Sequence, residues 1–227
     1  MKRSAEVKVN SFYPGVPHFR LHFRNDLHLA RKAFHMGMGL TIVFCYLFLT
    51  SQSTGIAILA GVLALDLLLE SSRLHSPALN EKLLKFWGPI MRRNEVTRFT
   101  TTPHYISSVI LAIAIFPKPV AILSILYLAC GDPIASLFGI LYGHLGPRFK
   151  SGKSLIGTLA GVLVCMVLTT IYLSTISTSM GAILLVSVLG GLAGGMAELL
   201  PFDVDDNFSI PIVSGFVLWL AFILAGL

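Results

Sequence analysis

Acidic side chains are rare in this chain, and several of them lie inside or directly beside apolar stretches. Asp132 interrupts one apolar run, Glu198 ends another, and the segment "DVDDN" at residues 203–207 separates two more. An ionisable residue in such a position indicates function, and clustered oxygen ligands suit Mg²⁺ bound together with phosphates. We therefore predict a site for Mg²⁺, or another divalent cation such as Ca²⁺, formed by Asp132, Glu198, Asp205 and Asp206. The alternative is a solvated turn in which an aspartate caps the next helix.

A basic segment, "KSGKSLIGTLAG" at residues 150–161, has residue types that bind phosphate. Its Gly-Lys-Ser triplet resembles the end of a P-loop, but Pro147 replaces the first glycine and no strand precedes it, which excludes that fold. Backbone N–H groups at a helix start, with lysines beside them, still favour a phosphate cradle. The predicted cradle consists of Lys150, Ser151, Gly152, Lys153 and Ser154, while Gly157 lets the helix pack closely on a neighbour.

A second basic cluster, "RKAFH" at residues 31–35, lies at the start of the first apolar run. Taken alone, Arg31 and Lys32 are typical topology markers, and His35 is typical of a core histidine. Together with Lys153 and the carboxylates, they supply the positioning and charge neutralisation that phosphoryl transfer requires. We predict catalytic roles for Arg31, Lys32, Asp132 and Lys153. Alternatively, one of the carboxylates accepts the proton of the substrate hydroxyl instead of binding the metal.

The elements that must position these residues are membrane-spanning helices. Of the 227 residues, 55% are hydrophobic and only 12% are charged, about half the charged fraction of a soluble domain. The predicted fold class is an all-α integral membrane protein, a polytopic helical bundle. Apolar runs long enough to cross a bilayer predict seven spans, at approximately 33–50, 55–70, 101–117, 120–142, 155–174, 180–200 and 209–226.

The distribution of charge predicts how this bundle is oriented. With these spans, every lysine and arginine except Lys118 lies on one side of the membrane, which the positive-inside rule makes the cytoplasmic side. The acidic residues lie on that side too. We therefore expect a cytoplasmic N-terminus and a site that faces the cytoplasm, in the cell inner membrane or the endoplasmic reticulum.

Two segments are predicted to lie along the membrane surface. In the basic arm of residues 1–32, "HFRLHFR" alternates apolar and basic residues, as segments on anionic headgroups do. In the transmembrane domain of residues 33–227, a helix around 76–93 begins at a Ser-Pro pair and has one apolar side. Ordinary anchoring explains both segments. The alternative for the second is that it flanks a lateral entrance for a lipid.

Six motifs occur in a fixed order along the chain: "RKAFH", "LDLLLESSRL", "MRRNEVT", "GDPIASLFGILYGHLGP", "KSLIGTLAG" and "DVDDNFSIPI". Through them, over roughly residues 30–215, the chain resembles the polyprenol kinase family. That family of membrane enzymes includes CTP-dependent diacylglycerol kinase of the fungal type, dolichol kinase and phytol kinase. The likeness in "RKAFH", "MRRNEVT", "YGHLGP" and "DDNFSIP" is greatest to the diacylglycerol kinases of the fungal type.

This resemblance implies transfer of the γ-phosphate of CTP to a lipid alcohol, with the help of a divalent cation. Diacylglycerol is the expected acceptor, and a polyprenol or phytol is the alternative. Many members have a basic residue directly after the glycine that matches Gly139; here it is Ile140, so Arg148 or Lys150 would have to replace that charge. The motif positions that the resemblance assigns to the site are Arg31, Lys32, Asp132, Gly139, Lys153, Ser154, Gly157, Asp205, Asp206 and Asn207. Arg92 and Arg93 of "MRRNEVT" are predicted to bind the nucleotide as well.

Two other classes of protein use similar parts. A cytidylyltransferase that joins CTP to phosphatidate releases pyrophosphate instead of CDP. A small secondary transporter also has intramembrane acids and glycine-broken helices, but it places charges near the midplane, whereas here they crowd one face. The expected partners are therefore a lipid alcohol, a nucleoside triphosphate and the bilayer, and not a nucleic acid. The oligomeric state is left open.

Overall fold

The computed structural model describes residues 27–176, 178–199 and 205–227, and within these ranges the regular elements are helices. The bounds of the α-helices are α1 Leu29–Phe48, α2 Gln52–His75, α3 Pro77–Trp87, α4 Thr102–Ile115, α5 Lys118–Leu126, α6 Asp132–Leu141, α7 Leu155–Thr175, α8 Met180–Met196 and α9 Asp206–Ala225. One turn of π-helix joins α5 to α6, and short 3₁₀ turns follow α3 and α8. The predicted all-helical architecture is confirmed in this part of the chain.

In the part of the chain that the structure describes, five helical segments are long and apolar enough to cross a membrane. They are Gln52–His75, Lys118–Leu141, Leu155–Thr175, Met180–Leu199 and Asp206–Ala225. The other two predicted spans correspond to α1 and to α4, which is a shorter apolar helix of Thr102–Ile115. The count of seven spans and their orientation therefore stay predictions. The predicted "HFRLHFR" surface segment lies outside the described residues.

The segment Lys118–Leu141 is the central helix of the bundle. In its most apolar stretch of 18 residues, 72% of the residues are buried within the protein, whereas none is buried in the corresponding stretch of α2. Glycines bring the neighbouring helix α8 close to it, because a Cβ on Gly194 would lie 2.6 Å from Cδ2 of Tyr127. The central helix carries Asp132, one of the predicted site residues.

The predicted surface helix begins where the sequence indicates. Ser76 caps α3, its hydroxyl accepting a hydrogen bond from the backbone N–H of Leu79, and Pro77 occupies the first turn. Leu84 is buried while Phe86 is 73% exposed, as expected of a helix that covers the bundle on one side and meets lipid on the other. The helix ends at Trp87, and a 3₁₀ turn continues to Ile90.

The helix ends meet at two opposite ends of the bundle, which we call its poles. At one pole Gln52 donates to the carbonyl of Ile113 and Lys118 donates to the carbonyl of Leu47. The opposite pole contains the starts of α1, α4, α7 and α9 and the ends of α2 and α8, and it carries the ion pairs described below. The predicted concentration of polar residues at a single face is thus present in the fold.

Candidate active site

Lys153 joins two acidic residues from different helices. Its ammonium donates to Oε2 of Glu198 at 2.6 Å and to Oδ2 of Asp206 at 2.8 Å. Glu198 follows α8, Asp206 starts α9, and Lys153 lies just before α7. The side chains are partly or largely shielded: Lys153 is 26% exposed, Glu198 10% and Asp206 30%. Three of the predicted site residues, far apart in the sequence, therefore meet at one point.

The charge of Lys153 is fixed by its two partners. Burial alone would lower the pKa of Lys153, but the carboxylates of Glu198 and Asp206 outweigh that effect and raise the pKa above its ordinary value. The side chain is consequently an ammonium throughout the neutral range. In this structure the ammonium is thus shared between two carboxylates.

The loop before α7 is a small hairpin whose backbone groups are largely used internally. Phe149 N–H donates to the carbonyl of Lys153, and Gly152 N–H donates to that of Phe149, with Gly152 at a φ of 84° that favours glycine. Ser154 caps α7 by accepting from the N–H of Gly157. Of the groups predicted to cradle phosphate, the Gly152 amide is already bonded, while Lys150 and Ser151 lie exposed at the tip.

Gly139 and Gly157 lie at the point where α6 crosses α7. A Cβ on Gly157 would lie 2.6 Å from the carbonyl oxygen of Ala135 and 2.9 Å from Cα of Gly139. A Cβ on Gly139 would meet Oγ of Ser154 at 3.0 Å. Because these glycines have no side chains, α6, which carries Asp132, packs closely against Ser154 and the neighbouring Lys153. The two glycines thus affect the site through packing.

Asp132 begins α6 directly after the π-helical turn of Tyr127–Gly131. Pro133 follows it and has no N–H group, so the regular hydrogen-bond ladder is interrupted at this position. π-Helical turns occur frequently at functional sites. Oδ2 of Asp132 lies 3.9 Å from Nε2 of His35. Because a carbonyl oxygen only accepts, that nitrogen donates to the carbonyl of Leu128 at 2.9 Å and therefore carries a proton.

The basic pair at the start of α1 separates into two roles. Lys32 donates to Oγ of Ser136 on α6 at 2.6 Å, and it interacts electrostatically with Asp132 and Glu198. Its neighbour Arg31 instead points toward the segment that follows α3. The two adjacent cations thus connect α1 to different parts of the same pole.

Arg31 forms a two-pronged ion pair with Glu95. Its guanidinium lies 2.7 Å and 2.9 Å from the two carboxylate oxygens, and it also donates to Thr101 Oγ1 and to the carbonyl of Ile90. Glu95 is 2% exposed and accepts a further bond from the N–H of Arg92. The predicted phosphate-binding role of Arg31 stays a prediction; in this structure Arg31 holds α1 against the 93–101 segment.

A buried arginine missed by the sequence reasoning anchors that same segment. Arg73 forms two bonds of 2.7 Å with Glu70 and donates to the carbonyls of Glu95, Val96 and Arg98. Only 3% of the Arg73 side chain is exposed. The signal was present in "LDLLLESSRL", where a glutamate and an arginine three residues apart interrupt an apolar helix.

The carboxylates predicted to bind a metal fall into three positions. Glu198 and Asp206 share the ammonium of Lys153, Asp132 interacts electrostatically with Glu198, and Asp205 accepts from the N–H of Asn207 as the cap of α9. The capping alternative for one aspartate is thereby confirmed. Within residues 27–176, 178–199 and 205–227, no group of three or more His, Cys, Asp or Glu side chains is arranged to hold a metal ion alone.

Curated relatives support the reading of these motifs. The CTP-dependent diacylglycerol kinase 1 of Schizosaccharomyces pombe is 30% identical over 158 residues, which cover 65% of this chain and 72% of the relative. The chain belongs to the CTP-dependent diacylglycerol kinase family. The members from Eremothecium gossypii and Saccharomyces cerevisiae are 33% and 28% identical over 81% and 82% of this chain.

The match to these diacylglycerol kinases does not extend over their full length. The chain spans 64% of the Eremothecium protein and 70% of the Saccharomyces protein. No protein-family model matches the sequence, and no solved structure matches it.

Proposed function

We propose that this chain is a CTP-dependent lipid kinase that phosphorylates diacylglycerol. The γ-phosphoryl group of CTP is transferred to the free hydroxyl of the lipid, giving phosphatidate and CDP. The observation that carries the proposal is the convergence of Lys153, Glu198 and Asp206 at one pole of the bundle, in a chain of the diacylglycerol kinase family. The names of the relatives support both the donor and the acceptor.

The nucleotide phosphates are bound by the cations of this pole. Lys153, whose pKa is raised by its partners, contributes a permanent charge, and Lys32 of α1 contributes a second cation that interacts with Asp132. Positioned cations stabilise the charge that develops on the transferred phosphoryl group. Arg92 and Arg93 lie on the segment that Glu95 fastens to Arg31, and we assign them to the nucleotide as well.

A divalent cation fits this pole if the nucleotide supplies part of its ligands. Mg²⁺ is usually bound by one or two carboxylates, several waters and the substrate phosphates. Glu198 and Asp206 provide two carboxylate oxygens that already converge on one cation, the Lys153 ammonium. We propose these two residues as its ligands; when bound, the metal neutralises charge on the β- and γ-phosphates.

Asp132 accepts the proton of the lipid hydroxyl. Glu198 and Asp206 are hydrogen-bonded to Lys153 and Asp205 caps α9, whereas Asp132 lies 3.9 Å from His35 and interacts with Lys32 and Glu198 only electrostatically. As the hydroxyl oxygen bonds to the γ-phosphorus, the bond from phosphorus to the bridging oxygen of CDP breaks, and the hydroxyl proton passes to Asp132. A base of this kind contributes about 10²–10⁴-fold to the rate.

We infer that the site faces the cytoplasm, where CTP is available, in the endoplasmic reticulum or the cell inner membrane. The bias of lysine and arginine supports this orientation. The surface helix α3 then lies at the cytoplasmic interface, with exposed Phe86 and Trp87 in the headgroup region.

The test is a transfer assay with donors and acceptors varied separately. Purified protein in nanodiscs receives Mg²⁺ with γ-³²P-labelled CTP or ATP, and either diacylglycerol, a polyprenol or phytol. Label in phosphatidate with CTP as donor supports the proposal. Label in another alcohol reassigns the acceptor, and label from ATP alone reassigns the donor. No labelled lipid from folded protein contradicts kinase activity.

A further inference from the structure

A cavity of about 190 Å³ lies at the pole that carries the ion pairs, between α1, α2, α3 and α4. Pockets for drug-sized ligands measure about 300–1,000 Å³, so this cavity is the size of the polar end of a lipid and not of two acyl chains. Its apolar wall includes Phe34, Met38, Leu69, Leu83 and Trp87. Its polar wall includes Arg31, His35, Asp66, Thr101 and Tyr105.

The apolar wall reaches the lipid-facing surface of the bundle. Phe34 and Trp87 pack edge to face with ring centroids 5.8 Å apart, and both residues are 40% exposed. Trp87 ends the surface helix α3, whose next ring, Phe86, is mostly exposed. The cavity therefore borders the membrane interface, from which a lipid can be bound without leaving the bilayer.

Two residues that line this cavity each carry a buried polar side-chain atom without a hydrogen-bond partner within the protein. In the described part of the chain, the buried side-chain nitrogen and oxygen atoms without a partner are Oδ2 of Asp66 and Oη of Tyr105. Both residues line the same cavity. Buried polar groups are nearly always hydrogen-bonded, and leaving one unpaired costs about 1–3 kcal/mol. Two such side chains in the lining of one cavity favour a ligand that offers both a donor and an acceptor.

The inner end of the cavity lies near Asp132, the proposed base. Tyr105 packs edge to face on His35 with ring centroids 4.7 Å apart, and His35 lies 3.9 Å from Asp132. Arg31, which also lines the cavity, lies next to Lys32 in the chain. A molecule bound against Tyr105 and His35 is thus one side chain away from Asp132.

We propose that this cavity is the acceptor site, in which Asp66 and Tyr105 bind the glycerol and ester groups of diacylglycerol. The inference rests on the proposed kinase function. Diacylglycerol has one free hydroxyl, a hydrogen-bond donor that Asp66 accepts, and ester carbonyls, acceptors to which Tyr105 donates. Its acyl chains pass between Phe34 and Trp87 into the bilayer. His35 lies between the bound headgroup and Asp132, so the hydroxyl is held by Asp66 on binding and moves past His35 before its proton passes to Asp132.

Binding can be measured without catalysis, because the chain has only two tryptophans. In the Trp219→Phe variant, Trp87 is the single fluorophore, and diacylglycerol brominated near the ester groups is the quencher. The site predicts saturable quenching that unlabelled diacylglycerol reverses and triacylglycerol, which lacks the hydroxyl, does not. Brominated phosphatidylcholine reports contact with bulk lipid. The Trp87→Phe variant, which retains Trp219 at the other pole, should show no saturable component.

Two substitutions test the named contacts in the Trp219→Phe background. Tyr105→Phe and Asp66→Asn should each weaken saturable quenching about threefold to tenfold, the effect of one lost hydrogen bond, and raise the KM for diacylglycerol with the KM for CTP unchanged. Tyr46→Phe, near Lys118 at the opposite pole, is the matched control. Unchanged binding in both variants overturns the assignment even if phosphatidate is formed. Saturable, variant-sensitive binding without transfer contradicts the kinase function and retains the lipid site.

Discussion

The ammonium of Lys153 lies 2.6 Å from Oε2 of Glu198, across 45 residues of sequence, and this ion pair joins α7 to the end of α8. Asp206 approaches the same ammonium from the start of α9. The pair therefore brings the predicted phosphate-binding and metal-binding segments into a single site. A buried ion pair is weak support for a purely stabilising role, because desolvation offsets much of the attraction.

Replacement of Lys153 tests this arrangement. Lys153→Ala removes the cation from the phosphates and leaves two carboxylates facing each other, so kcat/KM for CTP should fall about 10²-fold or more. Lys85→Ala, which removes an exposed lysine from α3, is the control and should retain full activity. Steady-state kinetics with CTP varied give the comparison; equal kcat/KM for wild type and Lys153→Ala would remove Lys153 from the site.

Asp206 is predicted to bind the divalent cation. Asp206→Asn retains the size of the side chain but removes its negative charge, so the Mg²⁺ concentration that gives half-maximal activity should rise roughly tenfold or more. Glu81→Gln neutralises a carboxylate on α3, far from Lys153 in the chain, and should leave the titration unchanged. A Mg²⁺ titration of all three proteins decides the matter, and coincident curves would exclude Asp206 as a ligand.

Asp132 is predicted to take the hydroxyl proton. Asp132→Asn cannot accept it, so kcat should fall about 10²–10⁴-fold while nucleotide binding persists. Since the described Asp132 contact is a 3.9 Å approach to His35, the thermal midpoint in detergent should change little. Near wild-type turnover in a folded Asp132→Asn protein would assign proton transfer elsewhere.

The Arg31–Glu95 pair is predicted to hold the pole together. Glu95→Gln leaves a guanidinium that is 19% exposed without its counter-ion, which should destabilise the fold by about 3 kcal/mol. The exposed Glu81–Lys85 pair on α3 contributes less than about 1 kcal/mol, so Glu81→Gln is the matched control. Denaturant titration in micelles measures both, and equal losses would show that the buried pair has no special role.

Gly157 is predicted to be required for the crossing of α6 and α7. A methyl group there meets backbone atoms of Ala135 and Gly139, so Gly157→Ala should destabilise the protein by about 1–3 kcal/mol and lower activity by displacing Lys153. Gly61 on α2 has no atoms within 4 Å of an added Cβ, so Gly61→Ala should be neutral or stabilise by up to about 1 kcal/mol. Thermal midpoints that fall equally would refute the packing role.

Local rules predicted the parts of the fold that depend on neighbouring residues. The Ser-Pro start of α3 and the aspartate cap of α9 follow from helix-capping chemistry. The concentration of charge at one pole followed from the alternation of apolar spans. These features need only sequence spacing and the hydrophobic effect.

Contacts between distant segments were beyond such rules. The Arg31–Glu95 pair spans 64 residues, and Arg73 bonds to backbone carbonyls 22–25 residues away. The π-helical turn before Asp132 depends on how the central helix packs, with only Pro133 as a local signal. The phosphate cradle was predicted from the amides of Ser151, Gly152 and Ser154, of which the Gly152 N–H is bonded within the hairpin to the carbonyl of Phe149.

The central proposal is tested most directly by finding which phosphorus atom of CTP is transferred to the lipid. Purified protein with diacylglycerol and Mg²⁺ receives CTP labelled with ³²P at either the α- or the γ-position, and lipid and nucleotide products are separated. The account predicts γ-label in phosphatidate, with the α-label retained in CDP. Label from the α-position in the lipid with release of pyrophosphate, or no label in the lipid from either position, would contradict a kinase.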